Sequence, residues 1–189
     1  MLMFFDTHPM HYTLTPNPLW TPVPQQPKVT ADIEIDHQNL SITFDVIEMP
    51  SNFRCECTQD GDPCWQDSCV EVFLKADTGY FNFEFNSAGC CLAEHGLSRS
   101  PRRRFEADEY ALILRRVLQS PQTMTDGKIH WSLHVEIPRK ILNMPSNSPI
   151  LGNLYKCASC AEIPNYLSVF PIETPTPDFH RPEFFQKLI

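Results

Sequence analysis

The chain has 189 residues, 42% of them hydrophobic, with 13 Phe, 18 Pro and only six Gly, which suits one compact core with stiff connections and few long helices. A formal charge of −8 argues against nonspecific binding to nucleic acid or to an anionic membrane surface. No apolar run reaches the ~18 residues needed to cross a bilayer, and the start lacks the basic region of a signal peptide, so a cytoplasmic protein is expected, or a secreted one if the sequence is a trimmed mature form.

The first 28 residues are rich in Pro, Thr and aromatics without a clear period. They read as a short strand or an extended N-terminal arm packing on a single domain spanning 1–189. Val29 to Asp36 and Leu40 to Val46 alternate apolar and polar residues around Asp36-His37-Gln38-Asn39, which marks a hairpin. Phe53 to Cys57 reads as a further strand, followed by the turn-rich Gln59-Asp60-Gly61-Asp62-Pro63. In Cys69 to Lys75, Val70, Val72 and Leu74 point one way while Cys69, Glu71 and Phe73 point the other. Tyr80 to Asn86 is stricter: Phe81, Phe83 and Phe85 share one face, and Tyr80, Asn82, Glu84 and Asn86 the opposite one. A period of two in Val and Phe means half-buried strands, and Asp77-Thr78-Gly79 makes this pair a hairpin.

Residues 95–109 read as a polar loop whose arginines, between Arg99 and Arg104, are either solvated or a partner surface. Tyr110 to Leu118, His130 to Ile137, Leu151 to Cys157 and Tyr166 to Val169 read as strands, with Trp131, Leu133 and Val135 joining the core. Arg139 to Asn143 has room for one helical turn, and Phe184 with Phe185 is expected in a last strand. About ten short strands, with no helical stretch of any length between them, predict an all-β fold with minimal helix: an antiparallel β-sandwich of two packed sheets.

Four stretches then carry a resemblance. They are Trp65 to Phe73 with Tyr80 to Asn86, Trp131-Ser-Leu-His-Val-Glu-Ile-Pro138, Gly152-Asn-Leu-Tyr-Lys156, and Pro177-Asp-Phe-His-Arg-Pro-Glu-Phe-Phe185. In order and spacing they resemble family 9 carbohydrate-binding modules and their stand-alone bacterial relatives. The resemblance implies a β-sandwich that binds a mono- or oligosaccharide without cleaving it. It places Trp65, six residues before Glu71, as a ring stacked on a sugar, and Glu71 as an acceptor for sugar hydroxyls. Asn82 falls where carbohydrate-binding members carry a basic ligand residue. Phe179 falls near a second stacking Trp, with Arg181 beside it, and Glu84 shares the polar face of the hairpin. Aromatic faces meet the C–H patches of a sugar, while planar polar groups meet its hydroxyls.

Other readings stay open. The alternative is a protein-interaction or structural module on the same fold that has lost its sugar site. Glu71 and Glu84 also raise glycoside cleavage, which uses paired carboxyls ~5–9.5 Å apart; side chains on one sheet face lie on the same side of a bound ring, so catalysis is disfavoured. The eight Cys read mainly as free thiols, with disulfides or a zinc site at Cys55, Cys57, Cys157 and Cys160 as lesser options. Relatives of the family hold structural calcium, and Gln59-Asp60-Gly61-Asp62 offers it hard oxygen ligands.

Overall fold

The computed structural model describes residues 9–20, 24–143 and 148–189; the parts of the expected arm at 1–8 and 21–23 lie outside them. The strands in chain order are β1 (Met10–Pro16), β2 (Lys28–Ile35), β3 (Asn39–Glu48), β4 (Cys69–Lys75), β5 (Tyr80–Asn86), β6 (Cys91–Gly96) and β7 (Arg103–Arg104), then β8 (Leu114–Thr123), β9 (Ile129–Pro138), β10 (Leu151–Cys157), β11 (Tyr166–Ser168) and β12 (Gln186–Lys187). Two helical turns interrupt them, α1 (Ala107–Tyr110) and α2 (Arg139–Leu142). The fold is all-β with minimal helix.

Every pairing is antiparallel, along the path β7-β6-β5-β4-β10-β11-β1-β2-β3-β9-β8, with β12 added to β10. β1 joins the two halves by pairing with both β11 and β2. The sheet curls so that both halves bury one face in a shared core. Val29, Ile33, Ile42, Phe44, Trp131, Leu133 and Val135 come from one half, and Val70, Val72, Leu74, Phe81, Phe83, Phe85 and Leu154 from the other. The alternation of these strands directs one residue in two into that core.

Two glycines are structurally required. The β4–β5 turn closes with Ala76 N–H donating to Gly79 O at 3.0 Å; Gly79 has φ +74°, and a Cβ there would lie 2.1 Å from Gly96 O. On β10, a Cβ at Gly152 would meet Phe73 O at 2.1 Å.

The halves are also tied by a buried polar contact. Trp131 Nε1 donates to Glu48 Oε1 at 2.7 Å, and Lys156 Nζ lies 3.0 Å from Glu48 Oε2, with both charged side chains fully buried. Lys156 donates further to Cys157 O and Asn165 Oδ1, so the ammonium is satisfied rather than stranded.

Four sequence expectations need correction. Phe53 to Cys57 is not a strand, because its backbone is taken up locally: Glu56 N–H and Cys57 N–H donate to Asp67 Oδ2 at 3.0 and 2.8 Å, and Arg54 O accepts from Ser68 N–H. Residues 107–110 are helical, started by a capping box between Glu106 and Glu109, so β8 begins only at Leu114. The loop expected over 95–109 is shorter, since β6 runs to Gly96 and Arg103 and Arg104 pair back onto His95 and Glu94. Phe184 and Phe185 lie at a 3-10 turn before β12, partly buried against a second apolar cluster.

That second cluster lies on the outer face of β4, β5 and β10. Cys64, Cys69, Phe73, Tyr80, Leu92, Tyr155, Cys157 and Phe179 build it, with Trp20 and Ile172. β4 and β5 are therefore buried on both faces. Apart from Lys75 at the end of β4, the polar residues of their outer face are buried.

Candidate functional site

A cavity of about 390 Å³ opens over this outer face. Trp65 stands at its rim. A 3-10 turn, Cys64–Gln66, carries it, and Trp65 O accepts from Ser159 N–H at 3.2 Å and lies 3.3 Å from Cys157 Sγ. Its backbone is thus pinned while its side chain stays 42% exposed. A large ring held rigidly at a cavity mouth offers apolar area at little entropic cost.

The floor is acidic. Glu71 on β4 and Glu84 on β5 are Cα partners across the ladder, and both are buried. Burial pushes the Glu71 carboxyl well above the usual carboxylate range; the Cys157 sulfur, 2.8 Å from its Oε1, adds to the rise, and the Lys156 ammonium opposes it. Burial also raises Glu84, the neighbouring Glu71 adds to this, and the hydrogen bond from Asn82 opposes it. Two facing carboxyls in a low-dielectric floor favour neutral forms, which both donate and accept hydrogen bonds.

Arg102 forms part of the wall. Its Nε donates to Asn82 Oδ1 at 2.9 Å, and its terminal nitrogens donate to Ser98 O and Tyr80 O at 2.8 and 3.0 Å. The guanidinium lies 4.1 Å from the centre of the Tyr80 ring, within cation–π range. His180 completes this corner, its Nδ1 2.8 Å from the Tyr80 hydroxyl. Burial drives its pKa down to about 4, helped by Arg102 and Arg99 and opposed by Asp178, so the imidazole is neutral at neutral pH.

Of the residues singled out in the sequence, Trp65, Glu71, Glu84 and Phe179 line the cavity. Phe179 presents little of its ring: it lies flat on Tyr155, with centroids 4.1 Å apart and planes 7° from parallel, and is 8% exposed. Asn82 is fully buried behind the wall, its amide bridging Glu84 and Arg102. Arg181 does not line the cavity and instead donates to Glu183 Oε1 at 2.8 Å. The sequence reading missed Arg102, Glu94, Tyr166 and Asp178, which also line it. Arg102 sits within the stretch expected as a polar loop, and Glu94 on the strand just before it. Only the return of β7 onto β6 brings Arg102 to Asn82, and that contact has no local signature.

The metal options look different in three dimensions. Cys55 and Cys160 are exposed, and all eight Cys carry free thiols. Among the described residues, the cluster with metal-ligating spacing is Cys69, Glu71 and Cys157, which shares only Cys157 with the four-cysteine set. In the loop offered for calcium, Asp62 Oδ2 accepts from Thr58 N–H and Gln59 N–H, and Asp60 Oδ1 from Cys91 N–H and Arg115. Those carboxylates already serve as loop acceptors.

The family model described as carbohydrate-binding family 9 matches residues 3–189. The chain belongs to that family. A crystal structure of a candidate carbohydrate-binding protein from Bacteroides uniformis ATCC 8492 is similar with a TM-score of 0.81 and 28% identity, over 94% of this chain and 84% of that one. A family 9 module from Caldicellulosiruptor kristjanssonii in complex with cellotriose gives 0.55 at 10% identity, covering 86% and 73% of the two chains. The same organism's family 9 module in complex with glucose gives 0.53 at 10%, covering 87% and 76%. At such identity the Caldicellulosiruptor modules speak for the fold alone. No curated protein matches.

Proposed function

We propose that this protein binds a mono- or short oligosaccharide in the cavity beneath Trp65 and leaves it chemically unchanged. The observation that carries the proposal is the meeting, in one cavity, of an exposed Trp65 ring with the buried polar floor of Glu71 and Glu84 and the fixed Arg102 guanidinium. Trp65 supplies the face for a sugar ring, and Glu71 and Glu84 address its hydroxyls. Arg102 supplies the basic group that Asn82 lacks, since the Asn82 carbonyl holds its Nε. Phe179, mostly covered by Tyr155, contributes an edge at most, so stacking rests on one ring.

Family membership supports this reading. The placement of Glu71 and Glu84 supports a role without catalysis: as cross-strand partners they approach a ligand from one side, whereas glycoside cleavage needs carboxyls flanking the scissile bond. We also read the two halves of the curled sheet as the layers of a sandwich. Affinity on the order of micromolar to millimolar is expected, because each hydroxyl exchanges water for a protein partner. Calorimetric titration with monosaccharides and short β-linked oligosaccharides tests the proposal. Heat that saturates at one site per chain, weakened in Glu71→Gln, supports it; silence across the panel overturns it.

A further inference from the structure

Beneath the cavity lies a trio of donors that sugar binding does not use in full. Cys69 and Glu71 alternate onto the same face of β4, and Cys157 stands opposite Cys69 on β10. Their donor atoms all lie within 4.8 Å of one another, and all three residues are buried. Packing alone accounts for buried thiols, which behave as small hydrophobes. It does not account for a carboxyl held against them, nor for Glu84 across the ladder, whose buried Oε2 has no hydrogen-bond partner among the described residues. An acidic floor of this kind is costly unless a positive charge stands close. The nearby cations already have partners: Arg102 and Arg104, on the cavity wall, engage Asn82, Ser98, Glu94 and Gly61, and the buried Lys156, whose charge also reaches Glu71, is paired with Glu48.

We propose that Cys69, Glu71 and Cys157 form a binding site for a thiophilic divalent cation, best matched by zinc, with an open fourth position facing the cavity. Zinc binds thiolate at ~2.3 Å and carboxylate at ~2.0–2.2 Å, so tetrahedral donors stand roughly 3.5–3.8 Å apart. The trio is already close to that spacing. Cys157 Sγ and Glu71 Oε1, now 2.8 Å apart in a thiol–carboxyl hydrogen bond, need to part by less than about 1 Å once their proton leaves. Binding releases the protons of both thiols, and any on Glu71, to solvent; no electron is transferred. Two thiolates and one carboxylate neutralise the ion and leave a single negative charge. Glu71 and Cys157 line the cavity, so water or a ligand hydroxyl completes the shell. Nothing in this assignment requires a sugar to bind.

Titration of the chelator-treated, reduced full-length protein with cobalt(II), in the absence of sugar, tests the site. The expected result is one cobalt per chain, with the intense ultraviolet charge-transfer band of cobalt–thiolate bonds and visible bands of tetrahedral intensity, displaced by zinc. Cys69→Ser and Cys157→Ser should each lose most of the charge-transfer band, while Cys55→Ser and Cys160→Ser keep it. Should either buried variant fail to fold, the parent decides through a second reading: one equivalent of zinc should raise its melting temperature and leave that of Glu71→Leu unchanged. Absence of the band in the reduced parent overturns the proposal, as does a band that survives in both folded buried variants.

Discussion

The two halves of the sheet use the same alternating code to opposite ends. In β2 and β3 every second residue is buried and the intervening ones meet water at least in part. In β4 and β5 nearly every residue is buried on both faces, because the segment after β10 returns over the outer face with Tyr166 and Phe179. One half is scaffold, with a solvated face that tolerates change. The other encloses carboxyls, amides and thiols in a low-dielectric layer where each polar atom is either paired or functionally informative.

That contrast is broken most severely from the shared core. Phe83→Ala should cost ~3–5 kcal/mol if its cavity stays open, read by denaturant unfolding with an unchanged slope. A loss under about 1 kcal/mol would mean that the two halves do not share a packed interior. The next largest effect is a pH dependence from the covered half. The imidazole of His180 titrates near 4 in the fold against an ordinary value of 6.5, so the unfolded chain binds the extra proton between those values. Stability should therefore be full above about pH 6.5 and fall as pH drops toward 4, by up to about 3 kcal/mol from this group. His180→Gln should flatten that slope relative to the parent; an unaltered slope would mean that the ring is hydrated.

Much of this fold was legible because period-two patterning is local. Phe81, Phe83 and Phe85, then Trp131, Leu133 and Val135, announced their core face without any long-range knowledge, and all are buried as expected. The strand read at Phe53 to Cys57 failed because the Asp67 carboxylate substitutes for a neighbouring strand, a pairing across ten or eleven residues that no alternation encodes. Glu71 became a candidate through the resemblance and Glu84 through the polar face of the hairpin, but the near-complete burial of both was not legible. A polar residue on an alternating strand looks solvated until something covers it. Arg102 was hidden for a related reason: its role depends on a loop returning to Asn82 over 20 residues.

Smaller effects sharpen the comparison further. Glu84→Gln removes one of two facing acids while keeping its shape, so it should raise stability by roughly 0.5–2 kcal/mol at neutral pH, at some cost in ligand affinity. Loss of stability instead would show that Glu84 is held by a partner its geometry does not reveal. On the solvated face, Glu34→Ala on β2 should stay within about 0.5 kcal/mol of the parent; a larger change would end the scaffold-versus-site distinction.

The most direct test of the account is Trp65→Ala, measured for sugar affinity and melting temperature together. A rim ring covered by ligand but not by protein should lose roughly 1.5–3 kcal/mol of binding, about tenfold to a hundredfold in affinity, with the melting temperature nearly unchanged. The contrary result is a variant destabilised by several kcal/mol whose parent shows no response to sugar, which would make Trp65 a structural residue and remove the carbohydrate site from this cavity.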